Sequence, residues 1–410
     1  GMLYGGLGNP NWLGLTVAAT VPLSIRAAAR WAESRYAIWP FIALACEAAG
    51  VWIARSQTAW IALAVAAAVF ALHQERRAAP RAAVVVVAAS VAAWLLARAP
   101  DAVEGRVWIW RAAWAAARDT PLLGAGHGAF GGAFLDAQGR LLQQLDHEAA
   151  ALAFVHATTA HNDWLHAGVE GGLVAVLLLA VAMGACFWSF RRRQPALAAT
   201  LVIVAVSGLG DVPLHQPGVV ALLALVWAAT PPLRWPPLWR RRLDAAAIAC
   251  VLVTSALLLR WATRLWLGER SSTVARHQPP RQRLTTLLHA YAMAPTPAHA
   301  LDLGLAHLEV RDRQAAIPLL QRARATSVVA DIALGNAWLG SGKTDAAMAT
   351  YRRALARQPA SFRAHLNLAE ALRLAAQPQA AWRHLQLARD LQPHHPKVRA
   401  LASKLRASLP

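Results

Sequence analysis

Apolar and polar positions fall in long blocks up to residue 266 and in short helical periods after it. Eight apolar stretches occupy the first part, at 12–25, 37–54, 58–72, 82–98, 164–190, 196–210, 217–231 and 244–266. A helix needs about 20 apolar residues to cross a bilayer. Several stretches are shorter and alanine-rich, and any one alone would also fit a buried helix of a soluble protein. Eight in succession predict an all-α, polytopic membrane helix bundle. Trp12, Trp39, Trp52, Trp60, Trp94, Trp227 and Trp261 stand at or near the ends of these stretches, where interfacial aromatics collect.

The polar intervals test that reading. Arg26, Arg30 and Arg35 lie between the first and second spans, and Arg76, Arg77 and Arg81 between the third and fourth. Arg191, Arg192 and Arg193 follow the fifth span, and Arg234, Arg240, Arg241 and Arg242 the seventh. With eight spans all four clusters face one side, which the positive-inside rule makes cytoplasmic. The interval 99–163, residues near Arg55, the stretch GDVPLHQP and everything after residue 266 then face the other side. The expected domains are a membrane core over 1–266, with a large outer loop at 99–163, and a soluble helical region over 267–410.

Composition agrees: 57% of residues are hydrophobic and 15% charged, too apolar for an ordinary soluble domain of this size. The net charge of +20 raises nucleic-acid binding. The basic clusters flank apolar spans and no nucleic-acid-binding signature accompanies them, so that class is set aside. Cys46, Cys186 and Cys250 all lie in apolar runs and read as buried thiols with no disulfide or metal role.

The stretch from Arg106 to Gly172 is the long interval richest in polar and special residues. It opens with RVWIWRAAW, turns through DTPLLGAGHGAF and closes with HATTAHNDWLHAGVEGG. Cations and a titratable imidazole at a membrane surface suit chemistry on a phosphate-linked lipid: arginine keeps its charge and presents a planar fork of donors, and histidine titrates near neutrality. Taken alone, Arg106 reads sooner as a snorkelling interfacial residue. The histidines are crowded, at 127, 147, 156, 161 and 166. Spacings of five do not share a helix face, which argues against a metal site, and no H-E-x-x-H pattern occurs. Asn162 or Asp163 could cap the fifth span. His166 and Glu170, four apart, share a face that should point into a cavity and not into lipid. Gly171 and Gly172 read as permitting close helix packing. Gly124, Gly126 and Gly128 lack the strand and spacing of a dinucleotide fingerprint and read as a tight turn.

The order Arg106, Trp110, Pro121, Gly124, Gly126, Gly128, Phe130, His161, Asn162, Leu165, Glu170, Gly172 resembles the O-antigen ligase and Wzy-type polymerase family of membrane glycosyltransferases. GGLGNPNWLG, with Gly8, Asn9, Pro10 and Asn11, is similar to that family's early G-N-x-N element, and the resemblance extends over residues 5 to 230. It implies a metal-independent, inverting transfer with no cofactor. A glycan would move from a polyprenyl-pyrophosphate carrier to an acceptor on the periplasmic face of a bacterial inner membrane. Arg106 would contact the pyrophosphate and His161 would act as base, with Arg55, Asn11, His166, Glu170 and Asp211 as further substrate-binding candidates. The acceptor would be lipid A core, another carrier-linked repeat, or a protein hydroxyl. In one respect the chain departs from the family: IARSQTAW carries Gln57 where the family places arginine, with Arg55 two residues earlier. Family members have helices before the first matched element, so a truncated N-terminus is expected. A second reading keeps the membrane anchor and treats the core as inactive.

After residue 266 the chain repeats. LGNAWLGSGKTDAAMATYRRALARQP and LAEALRLAAQPQAAWRHLQLARDLQP align, and their prolines, Pro359 and Pro393, are 34 residues apart. That is the tetratricopeptide period. A looser copy runs through Gly304, Ala316, Leu320 and Ala323. The region resembles a tetratricopeptide solenoid, periplasmic by the topology above, that caps the enzyme or recruits an envelope protein. It carries 20 Lys and Arg against 8 Asp and Glu. Arg353 and Arg357, four apart on one helix, are expected to form an exposed face that attracts anionic lipid or glycan.

Overall fold

The computed structural model describes residues 10–74, 100–192, 194–215 and 263–406, with a few isolated positions between them. The spans expected at 82–98, 217–231 and 244–266 lie largely outside the described residues, as do Trp94, Trp227, Trp261 and Cys250. Among the described residues all regular structure is helical. In the first half these are α1 (Pro10–Trp31), α2 (Ile38–Ala54), α3 (Gln57–Gln74), α4 (Pro100–Asp119), α5 (Phe130–Leu142), α6 (His147–Ala153), α7 (Asp163–Phe190) and α8 (Pro195–Ser207). The chain forms two compact units, one of residues 1–133 and 157–232, the other of residues 134–156 and 233–410.

In the first unit α1 packs on α2, α3 and α8, while α7 packs on α4 and α8. Small residues let the backbones approach: Ala18, Ala19, Ala59 and Ala62 are fully buried around Leu15 and Ile203. A side chain on Gly14 would press on Ser56. Among the described residues two helices have the length and apolarity to cross a membrane, Asn11–Trp31 and Asp163–Phe190; Ile38–Ala54, Gln57–Val69 and Pro195–Ser207 are apolar but shorter. On α7 the apolar surface faces outward, with Leu173, Leu177, Leu178, Val181 and Trp188 exposed. A continuous apolar face of this kind suits lipid better than water.

The second unit continues with α9 (Pro280–Met293), α10 (Pro297–Glu309), α11 (Arg313–Ala323), α12 (Val328–Gly340), α13 (Thr344–Arg357), α14 (Phe362–Leu374), α15 (Pro378–Leu391) and α16 (Pro396–Arg406). Each packs on the next in chain order. Thr296, Asp312 and Ser327 cap α10, α11 and α12 by accepting from the backbone N–H three residues on. The repeat positions read from the sequence form the core: Ala316, Leu320, Ala323, Ala347, Tyr351, Ala354, Ala369, Ala381 and Ala388 are wholly buried. Gly335 admits the Tyr351 ring, which any Cβ there would strike. The Tyr351 hydroxyl donates to Asn336 Oδ1 at 2.7 Å.

The expected anionic-ligand face on α13 does not form. Arg357 is 3% exposed at its side chain, and its guanidinium lies 2.6 Å from Asp136 and 3.4 Å from Asp331. It also donates to the carbonyls of Arg324 and Ala325. Arg353, 41% exposed, lies 3.7 Å from the buried Asp331. The four-residue spacing is real, but it places both cations against the buried Asp331, and Arg357 also against Asp136.

Candidate functional site

The Gly-rich turn and the start of α7 are bonded through their backbones. α7 breaks at Gly172, whose φ of 64° and ψ of −163° are non-helical and essentially glycine-only. A break inside an apolar helix leaves N–H and C=O groups that lipid cannot satisfy. Here residues 121–126 satisfy them. Ala125 and Gly126 N–H donate to the carbonyls of Val169 and Glu170, and Leu173 and Val174 N–H donate to those of Pro121 and Leu122. Gly124, Gly126 and Gly128 all have positive φ. A Cβ on Gly124 would strike the Glu170 backbone, and one on Gly172 the Leu122 carbonyl. The expectation that Gly172 serves helix packing is therefore corrected: it is the break, and its close contact is with the turn. Gly171 has φ outside the positive range, and a Cβ there would meet Ala175.

Inside that brace sits Glu170. His166 Nε2 donates to its Oε1 at 3.3 Å and the exposed His127 to its Oε2 at 3.2 Å. The Phe130 N–H reaches it at 3.3 Å. His166 is buried and stacks on the Phe130 ring, with centroids 4.5 Å apart. His166 and Glu170 thus share a face, as their spacing indicated.

His161 immediately precedes α7. Its backbone is left-handed, at φ 47°, a conformation costing a non-glycine residue about 1–2 kcal/mol. The contacts on either side hold it. Trp110 Nε1 donates to the Ala160 carbonyl at 3.0 Å. Asn162, and not Asp163, caps α7 by accepting from Leu165 N–H, and its amide donates to the Leu209 carbonyl. Asp163 N–H donates to the Gly208 carbonyl. The segment 208–215 is thereby fixed beside His161, and the buried Asp211 carboxylate lies 3.9 Å from His161 Nδ1. That exceeds hydrogen-bond reach but is close enough for charge coupling.

Arg106 is one helical turn before Trp110 on α4. A Cβ built on Gly210 would lie 3.9 Å from Arg106 Nη1 and 3.9 Å from Thr58 Oγ1. No hydrogen bond or ion pair to Arg106 is found among the described residues. Arg106 and Thr58 therefore border Gly210, the neighbour in sequence of Asp211, which in turn approaches His161. Arg55 caps α2 in a left-handed conformation, φ 50°, with its side chain exposed; no hydrogen bond or ion pair joins it to this group among the described residues. The buried Ser56 beside it caps the start of α3. Asn11 is half-buried in the first turn of α1.

Sequence reasoning missed two participants. His215 Nδ1 donates to Asp163 Oδ1 at 3.1 Å, and Asp163 Oδ2 accepts from Leu214 N–H at 2.9 Å. The hydrogen bond to Asp163 raises the pKa of His215 above its ordinary value, against the opposing effect of burial. The His215 ring also meets His166 edge-on, centroids 4.5 Å apart. Only the position of His215 in GDVPLHQP hinted at this; its partner is 52 residues away.

Beyond Asn162 an apolar groove of about 620 Å³ runs between α4 and α7. Trp110, Trp114, Trp164, Leu165, Leu173 and Val176 line it, with Arg118 and Asn162 as its main polar groups. Among the described residues no group of three or more His, Cys, Asp or Glu is placed to hold a metal ion.

Residues 9–180 match the family model for O-Antigen ligase, and residues 339–405 that for the Tetratricopeptide repeat. The chain joins an O-antigen ligase domain to a tetratricopeptide repeat. The ligase match contains Arg106, Trp110, the glycine turn, His161 and Glu170, and ends before Asp211 and His215. No curated protein matches. Solved structures similar to part of the chain include YrrB, described as a TPR protein with an unusual peptide-binding site. It is 20% identical, with a TM-score of 0.29, over 30% of this chain and 66% of that one. The MamA protein is 23% identical, with a TM-score of 0.29, over 38% of this chain and 85% of that one.

Proposed function

We propose that this ligase-family core transfers a glycan from a polyprenyl-pyrophosphate carrier to an acceptor hydroxyl. The reaction lies at the periplasmic face of a bacterial inner membrane. The acceptor oxygen attacks the anomeric carbon, the carbon–oxygen bond to the pyrophosphate breaks, and the electron pair leaves with the phosphate. Arg106 meets that charge. His161 takes the acceptor proton, and Asp211, at 3.9 Å, favours the imidazolium that forms. His166 and Glu170 hold the broken helix. Arg55 and Asn11 are assigned to the carrier's polar head, and the groove beside Asn162 to its isoprenoid tail. No step in this scheme needs a metal or cofactor.

The observation that carries this reading is that Gly210 adjoins Arg106, which has no hydrogen bond or ion pair among the described residues, and precedes Asp211, whose buried carboxylate lies 3.9 Å from His161, while an apolar groove opens beside Asn162. The surrounding scaffold is an eight-span core over 1–266 with the repeat region, 267–410, outside. Lipid A core, a carrier-linked repeat and a protein hydroxyl are the acceptors to test. The measurement is turnover of a labelled carrier-linked oligosaccharide by the full-length protein in vesicles. His161→Ala should lower the rate by about 10²–10⁴-fold. Arg106→Lys should lower it by about tenfold or more through loss of the bidentate fork. Gln57, standing where family members carry arginine, favours the second reading, an inactive core anchoring a repeat scaffold. Wild-type protein without turnover on any of the three acceptors would establish that one.

A further inference from the structure

The repeat region and the middle of the outer loop make one compact unit. Residues 134–156 are distant in sequence from α12, α13 and α14, yet they share a core with them. Leu135, 1% exposed, is buried among Val328, Ile332, Ala354 and Ala364, with Phe154 packed alongside. Asp136 takes the 2.6 Å bond from Arg357 Nε. Gln143 Nε2 donates to the Ala356 carbonyl at 3.0 Å. Gly139 is pressed so near the backbone of Ala356 and Arg357 that a Cβ would collide with it. The loop segment also carries its own brace, since the Gln138 side chain both accepts from Val155 N–H and donates to the Val155 carbonyl.

A separate core cluster of the repeats contains no residue of this segment: Tyr351, Leu368, Leu372 and Leu385 are buried among other repeat-helix residues. The contact is also specific: Arg357 is a nearly enclosed cation, and one of its two carboxylate partners comes from the loop.

We propose that the repeat module's ligand is this chain's own outer loop: the ends of α12, α13 and α14 clasp residues 134–156. The module is a clamp on the loop and not primarily a recruiter of other proteins. The clasped segment runs by peptide bonds into Phe130 on one side and into His161 on the other. Holding its middle restricts how far both ends can wander, a loss of loop entropy before substrate arrives. This second consequence rests on the transfer reading; the clasp itself does not.

Gly139→Leu separates the alternatives, because leucine favours the α5 helix more than glycine does while its side chain bars docking. Leu135→Asp is an independent loop-side variant that replaces the buried anchor. Hydrogen exchange on the full chain in detergent reads the result. Both variants should exchange amides of 134–156 at least about tenfold faster, with the amides of α14 and α15 keeping their protection. Unchanged protection of 134–156 in both would overturn the clasp. With exchange raised, transfer should fall at least about tenfold with little change in binding of the carrier. Wild-type turnover in a variant whose loop is released would overturn the positioning role. Failure of the wild-type protein to transfer at all would count against the transfer reading, while the exchange measurement would still decide the clasp.

Discussion

His161 and His215 stand on either side of the start of α7 under different constraints. His161 has a strained backbone and a carboxylate at 3.9 Å; His215 has an ordinary hydrogen bond, 3.1 Å, to a carboxylate that also anchors its own turn. The second pair works as a unit: losing either member loosens the Leu214–His215 end of the segment that carries Asp211. His215→Gln and Asp163→Asn are each expected to slow transfer by about tenfold or more, and the double variant by little more than either. Asp163→Asn also removes the carboxylate charge and weakens the hydrogen bond that together raise the His215 pKa, so any limb of the pH–rate profile belonging to His215 should move to lower pH. Additive losses and an unmoved profile would sink the unit. The resemblance pointed to Arg106 and His161 because local order identifies them. Thr58, Gly210 and the Asp163–His215 pair were out of reach, since only tertiary contacts join α3, the start of α7 and the segment after α8.

α7 shows what a sequence-based reading of an element can miss. Its length and apolarity were plain, but the break at Gly172 was not, because two adjacent glycines in an apolar run fit close packing equally well. What decides between the two is a backbone pairing between residues 121–126 and 169–174. Gly172→Ala is expected to destabilise the unit by about 2 kcal/mol or more, since alanine is strained at that φ/ψ and its Cβ meets the Leu122 carbonyl. Gly105→Ala is the control: nothing lies within 4 Å of a Cβ there, and helical alanine should be neutral or stabilising by up to about 1 kcal/mol. Detergent-solubilised yield and melting temperature compare the two.

The repeat helices were the most legible elements, because a 34-residue period and small-residue positions report contacts between sequence neighbours. Their buried histidines, His299 and His365, were not. His365, on α14, donates from Nε2 to the Pro359 carbonyl at 2.8 Å, and its Nδ1 lies 3.1 Å from His384 Nδ1. Burial lowers its pKa from 6.5 to about 4. A folded-state pKa below the unfolded one means that the unfolded chain binds the proton first as pH falls. Stability from the neutral ring is therefore full above pH 6.5 and lost progressively toward pH 4, a span worth on the order of 3 kcal/mol. Hydrogen exchange in α14, corrected for the intrinsic effect of pH, should show protection falling between pH 7 and pH 4.5, and falling less in His365→Gln. Equal pH dependence in both proteins would refute this.

At the scale of the whole molecule, the contact between the outer loop and the repeats constrains how the chain threads a membrane. Asp136 and Arg357 are bonded at 2.6 Å, so the loop and the repeat module must lie on one side of any bilayer the chain crosses. The chain between residues 156 and 268 must then cross an even number of times. In the topology proposed above, the apolar stretches at 164–190, 196–210, 217–231 and 244–266 are the four crossings, which would leave the arginines at 191–193 on the opposite, cytoplasmic side, in keeping with the positive-inside rule. The even parity that the tertiary contact demands is the parity of that proposed topology. In a background without Cys46, Cys186 and Cys250, single cysteines replacing the exposed Arg140 and Ser341 should both react with a membrane-impermeant maleimide added to intact spheroplasts. One replacing the exposed Arg192 should react only after lysis. Opposite behaviour at 140 and 341 cannot coexist with the Asp136–Arg357 bond and would refute the clasp together with the topology. Shared protection at both would invert the topology and leave the clasp intact.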